Sequence, residues 1–68
     1  MRNPERLYPF YIQMCEIHKN SFPDIRFGQM MWHFFYWLNS EKHLDPFYPE
    51  ENEMLELFQE YANSIKRR

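Results

Sequence analysis

The sequence predicts an all-α fold: a compact three-helix domain whose aromatic-rich second helix is central. Three observations lead there. β-Branched residues are scarce, with four Ile and neither Val nor Thr in 68 residues, and that shortage disfavours a sheet. No alternation of period two persists for more than a few residues. In three segments, by contrast, apolar residues recur at the i, i+3, i+4, i+7 spacing of one helical face. A chain of this length forms one domain, so residues 1–68 are read as a single helical unit with helices over roughly 4–20, 25–39 and 49–66.

The first helix opens at Asn3-Pro4, a capping residue followed by Pro at the first helical position. Pro9 predicts either a later start or a bend near it, because an interior Pro removes a hydrogen bond and clashes with the preceding turn. Leu7, Phe10, Tyr11, Met14, Ile17 and His18 share one face, and Gln13, Glu16 and Asn20 lie opposite. The segment Asn20-Ser21-Phe22-Pro23-Asp24 reads as a turn, with Ser21 or Asp24 as the cap of the next helix.

The second helix contains the densest segment of the chain. Residues 30 to 38 read Met-Met-Trp-His-Phe-Phe-Tyr-Trp-Leu, nine residues of which five are aromatic. Helical spacing divides it. Phe27, Met30, Met31, Phe34, Phe35 and Leu38 form a greasy face with Trp37 at its border, whereas Gln29, Trp32, His33 and Tyr36 recur on the other side. Gly28 costs ~1 kcal/mol relative to Ala inside a helix. It sits either at a close backbone approach or in a relaxed first turn.

A long connection, Ser40 to Tyr48, follows, with a short turn expected at Asp45-Pro46. The third helix is expected to start at Pro49. Glu50, Glu51 and Glu53 favour the positive end of its dipole, and Lys66, Arg67 and Arg68 the negative end. Met54, Phe58, Tyr61 and Ile65 define its buried stripe, with Leu55, Leu57 and Ala62 at the flanks and Glu56, Gln59, Glu60 and Asn63 facing water.

Composition narrows the function classes. Aromatics make up 21% of the chain and mean hydropathy is −0.82, an amphipathic balance unlike that of disordered chains, which lack aromatics. No run approaches the ~20 apolar residues of a membrane span. The N-terminus has no cleavable signal pattern, so a cytoplasmic location is expected. A single cysteine, Cys15, forms no internal disulfide and is expected to be a small buried hydrophobe. The net charge of −2 argues against direct nucleic-acid binding, which calls for a basic face.

Chemistry-bearing residues are sparse. Cys15 and His18 stand at i, i+3, but two ligands do not make a zinc site, and His33 and His43 have no diagnostic spacing. One glycine cannot build a phosphate loop. No metal, cofactor or enzymatic activity is expected. The Gln29, Trp32, His33, Tyr36 stripe is the leading candidate for partner binding, because Trp and Tyr bury large areas while keeping a polar handle. The alternative is that it is interior, with the flanking helices covering both sides of the second.

The acidic segment 41–60 carries Glu41, Asp45, Glu50, Glu51, Glu53, Glu56 and Glu60 against Lys42 alone. It reads as a solvated helix face, or as a surface that competes for a basic groove. Arg26, the only basic residue of the second helix, is expected to join Asp45, Glu50 or Glu51 in a structural polar cluster that locks the long loop down.

Two segments carry a resemblance: Pro23, Asp24, Arg26, Gly28 and Gln29, then Asp45, Phe47, Tyr48, Glu50 and Glu51. Their pattern, P-D-x-R-x-G-Q followed by D-x-F-Y-x-E-[DE], resembles that of small uncharacterised helical proteins of Gram-positive bacteria and their phages. The likeness covers the middle of the chain. It implies a compact helical fold and supplies no activity.

The sequence therefore leads to a non-enzymatic protein acting through protein contacts, either with itself as a homodimer or with a larger partner. The alternative is an acidic, phage-encoded inhibitor or regulator of a nucleic-acid-handling protein. A helix-turn-helix DNA binder would need more than Arg26 on its recognition helix.

Overall fold

The computed structural model describes residues 2–66, and side chains through Ile65. The expected cationic closure by Lys66, Arg67 and Arg68 therefore lies outside the described side chains. Three helices follow a short 3-10 turn at Pro4–Arg6: α1 at Leu7–Ser21, α2 at Phe27–Glu41 and α3 at Glu51–Lys66. No strand occurs among the described residues.

The start of the chain resolves the Pro9 question. Asn3 is extended and its side chain accepts the Glu5 N–H at 3.0 Å, with Pro4 at the first position of the 3-10 turn. The α-helix then begins at Leu7. Pro9 thus falls in the first α-helical turn, where its missing N–H is one of the groups that lack an intrahelical partner anyway. At the far end, the Phe22 N–H closes on the His18 carbonyl at 2.8 Å. The His18 Nε2–H then donates to the Ile25 carbonyl at 2.8 Å. These bonds, with Ile25 N–H to Phe22 carbonyl at 3.1 Å, make a tight corner between α1 and α2.

Neither Ser21 nor Asp24 caps α2, contrary to expectation. Ser21 is still helical and Asp24 lies within the corner. The cap position is Arg26, extended, and the Gln29 side chain accepts its backbone N–H at 3.3 Å. At the other end His43 takes a left-handed conformation, φ 56. That reversal brings the Leu44 N–H back to the Leu38 carbonyl at 3.0 Å, a helix-stopping role glycine usually fills. The expected turn at Asp45 forms, with the Asp45 side chain accepting the Phe47 N–H at 2.9 Å and its carbonyl the Tyr48 N–H at 3.2 Å. α3 starts two residues after Pro49, with the Met54 N–H bonded to the Glu50 carbonyl at 2.8 Å.

α1 and α3 run parallel and side by side. Arg6 meets Glu51 at their starts, and Phe22 meets Phe58 and Tyr61 towards their ends. α2 instead crosses α3. Its second half alone engages, with Phe34 4.8 Å from Phe58 and Trp37 5.4 Å from Tyr61 between ring centroids. Lys42 then reaches Glu60. The long loop is thereby explained, since the chain must travel back along α3 to its start. α3 is the helix that both others approach closely, α1 more extensively than α2.

α2 is central in another sense, because its Phe34 and Trp37 join the aromatic cluster and it supplies three of the eight buried side chains among the described residues, as many as α3. Met30, Phe34 and Leu38 pack with Met14, Phe22, Phe58, Tyr61 and Ala62. Phe34, Leu38, Phe58 and Ala62 are fully buried. Each Phe of this kind contributes about 1.5–3 kcal/mol by leaving water, and the offset and edge-on ring contacts add to that.

Candidate interaction face

The crossing of α2 over α3 covers only part of α2. The residues on α3 or beside it, Met30, Phe34 and Leu38, are buried, and Met31 and Trp37 are half-buried. Everything beyond that arc faces water. Trp32 is 73% exposed and Tyr36 69%. Gln29 and His33 are exposed beside them. The structure therefore brings the four predicted residues together on one outward face and places none in the interior. Gln29 is partly committed, because its side-chain oxygen caps Arg26.

Two residues expected in the core are exposed as well. Phe27 is 66% exposed and Phe35 37%. Phe35 lies outside the covered arc. Phe27 sits at the first turn of α2, before the crossing, and looks into the gap between α1 and α2. Between the diverging helices runs a groove floored by Met14 and Met30 and walled by Tyr11, Cys15, His18 and Phe27. Tyr11, expected on the buried face of α1, stands exposed at its edge. Cys15 is exposed as well, not buried as its type suggests. Cys15 and His18 share this groove, but His18 is engaged with the Ile25 carbonyl. Among the described residues no three His, Cys, Asp or Glu are grouped to hold a metal ion.

The predicted polar cluster does not assemble around Arg26. Glu50 pairs with Arg2, Glu51 with Arg6 at 2.7 Å, and Asp45 caps its own turn. The reason is topological. Arg26 sits at the α1–α2 corner, near the far end of α3, whereas Glu50 and Glu51 lie at the start of α3. The helix between them is about 22 Å long at 1.5 Å per residue. The parallel packing of α1 and α3 delivers the N-terminal arginines instead. The Arg6 guanidinium, hydrogen-bonded to Glu51, holds that carboxyl below the ordinary carboxylate range, against a smaller opposing effect of desolvation. In the rest of the acidic segment, Lys42 pairs with Glu60 while its ammonium lies 5.8 Å from the Trp37 ring centre. Three of the segment's carboxylates are therefore paired with cations of the same chain.

One exposed feature lies in a segment to which the sequence assigns a structural rather than a binding role. Phe47 and Tyr48 stand at the tip of the α2–α3 loop, both largely in water and edge-on to each other at 5.2 Å. Two consecutive aromatics between Pro46 and Pro49 were the available signal, since a rigid turn cannot fold both rings inward.

Compared with known proteins, the chain matches no family model, no curated protein and no solved structure. Among the described residues no helix is long and apolar enough to cross a membrane.

Proposed function

We propose that this chain is a non-catalytic, cytoplasmic interaction protein of bacterial or phage origin. It works by covering the outer face of α2 with another protein surface. One observation carries the reading: Trp32 and Tyr36 stand exposed together on a helix face that has no charged residue from Phe27 to Ser40. Exposing such rings is unfavourable in water, and contiguous exposed apolar patches mark contact sites. Burying Trp32 and Tyr36 drives the contact. His33 and the free amide of Gln29 orient it by hydrogen bonds at its edge.

The test is photocrosslinking in the protein's own cells, with a benzophenone side chain in place of Tyr36 or, as control, of Gln59 on α3. Position 36 is expected to yield a discrete crosslinked product that position 59 does not. The same absence of product at both positions would sink the proposal. A product of any mass, a second copy or a larger protein, supports it.

A further inference from the structure

The groove between α1 and α2, about 210 Å³ in volume, is bordered by four side chains able to ligate a metal ion: Met14, Cys15 and His18 of α1 and Met30 of α2. We infer that they form a site for one copper(I) ion, held by the Cys15 thiolate, His18 Nδ1 and the thioether sulfurs of Met14 and Met30. The site is separate from the outer face of α2, and its test is independent of the contact proposed there.

Helical geometry places the α1 donors together. Cys15 and His18 stand at i, i+3, and Met14 and His18 at i, i+4, the spacings at which side chains are neighbours along a helix. At 3.6 residues per turn the three span an arc of about 100°, with His18 between the other two. The i, i+4 interval is also the one by which two histidines of a helix share a zinc ion. Met30 supplies the opposite side. Met14 and Met30 are both buried in one cluster on the groove floor. Cys15 is exposed, so an ion entering from water meets the thiol first.

The hydrogen bond of His18 prepares its ring. A carbonyl oxygen only accepts, so Nε2, 2.8 Å from the Ile25 carbonyl, carries the proton. In the neutral ring Nδ1 is then the nitrogen with a lone pair to give. Metal-bound histidines are commonly oriented in this way, by donating the other ring N–H to a carboxylate or a backbone carbonyl.

The donor set selects the ion. Thioethers are soft, uncharged ligands that suit copper(I), whereas zinc takes thiolate, imidazole and carboxylate. Charge agrees. Copper(I) and one thiolate sum to zero, and the imidazole and both thioethers are neutral. The loaded site therefore sets no net charge beside Tyr11 and Phe27, which wall the groove. A divalent ion on the same ligands would leave a positive charge there, which apolar surroundings disfavour. Binding is an exchange: the Cys15 thiol releases its proton to water as the sulfur–copper bond forms, and the copper keeps its oxidation state.

The experiment is an anaerobic titration of the full chain with copper(I) against a chromogenic copper(I) chelator, repeated with zinc(II). The chain is expected to withdraw one copper(I) per molecule and to melt at a higher temperature when loaded, with no comparable binding of zinc(II). Met14→Leu with Met30→Leu keeps the volume and apolarity of the floor. Its metal-free form should retain wild-type helicity, while its affinity for copper(I) falls by about tenfold or more. Cys15→Ser, at an exposed position, should lose at least as much. His33→Gln, on the outer face of α2, should change nothing. Copper X-ray absorption of the loaded wild type needs no variant and should show more than one sulfur neighbour. Copper(I) left on the chelator overturns the site. Affinity that survives the double methionine substitution, or a single sulfur neighbour, reduces it to a lone thiol and overturns it as well. Equal affinity for zinc(II) overturns the choice of ion.

Discussion

The inner and outer faces of α2 carry side chains of the same kind in opposite surroundings. On the inner face Met30, Phe34 and Leu38 are closed off by α3 and the α1–α2 corner. On the outer face Trp32, Tyr36 and part of Phe35 lie in water. The difference is not one of hydrophobicity. It arises because one crossing helix covers an arc of α2 narrower than the arc its apolar residues occupy. A helix packed on one core needs an apolar stripe of about 100°. Apolar residues beyond that width have no use inside a three-helix monomer, and their surplus is what points to contact with another surface.

The largest expected effect tests the inner face. Phe34→Ala should cost about 3–5 kcal/mol, as large-to-small changes at buried aromatics do. A chain of this length has a total stability of about 3–10 kcal/mol, so the variant should be largely unfolded by circular dichroism or melt far below the wild type. A loss under about 1 kcal/mol would mean that the Phe34, Phe58 and Tyr61 cluster is not the core.

Next comes the neighbour on which α2 closes. Ala62 is fully buried among Phe34, Leu38 and Phe58, and its missing bulk lets the helices approach. Ala62→Leu should destabilise by about 1–3 kcal/mol through overpacking, read as a lower urea midpoint. An unchanged midpoint would show slack in the core that the fully buried neighbours do not suggest.

Ala62 also marks a boundary of what the sequence discloses. The helices, their order and the grouping of Gln29, Trp32, His33 and Tyr36 on one face are all legible from the 3.6-residue period, because that information is local. Ala62 reads only as a flanking residue, since the tightness of a crossing depends on the partner helix. Phe27 and Phe35 read as core for a related reason: a helical wheel gives the direction of a side chain and says nothing of how far the cover extends. Arg26 is the clearest case. Its expected partners are close in sequence terms, but the parallel α1–α3 packing sends Glu50 and Glu51 to the opposite end of the molecule and pairs them with Arg2 and Arg6. Once the helix order is combined with that packing, the Arg26 cluster is ruled out by length alone.

A smaller effect follows from that pairing. Glu51 has a folded-state pKa below its unfolded one, caused chiefly by the hydrogen bond from Arg6. Its contribution to stability is therefore present above the unfolded carboxylate value and is lost as pH falls through the folded value. Acidification below the ordinary carboxylate range should lower the urea midpoint of the wild type. Glu51→Gln should flatten that acid limb, and added salt should shrink the difference, because the pair is only partly buried. Superimposable acid limbs for the two proteins would show that the pair adds nothing.

The smallest expected change in the folded monomer comes from the largest exposed rings. At concentrations where the chain is monomeric, Trp32→Ala with Tyr36→Ala should shift stability by no more than about 0.5 kcal/mol, as surface substitutions generally do. Two opposing terms explain why. The rings lose the minor burial they have against their own helix. Alanine in turn is the better helix former, by several tenths of a kcal/mol per site. The same double substitution should abolish any contact made by the outer face. Equal helicity with lost association would separate the two faces of α2 by a single pair of residues. A destabilisation approaching that of Phe34→Ala would instead place Trp32 and Tyr36 in the core, and the surplus of apolar surface on α2 would vanish with it.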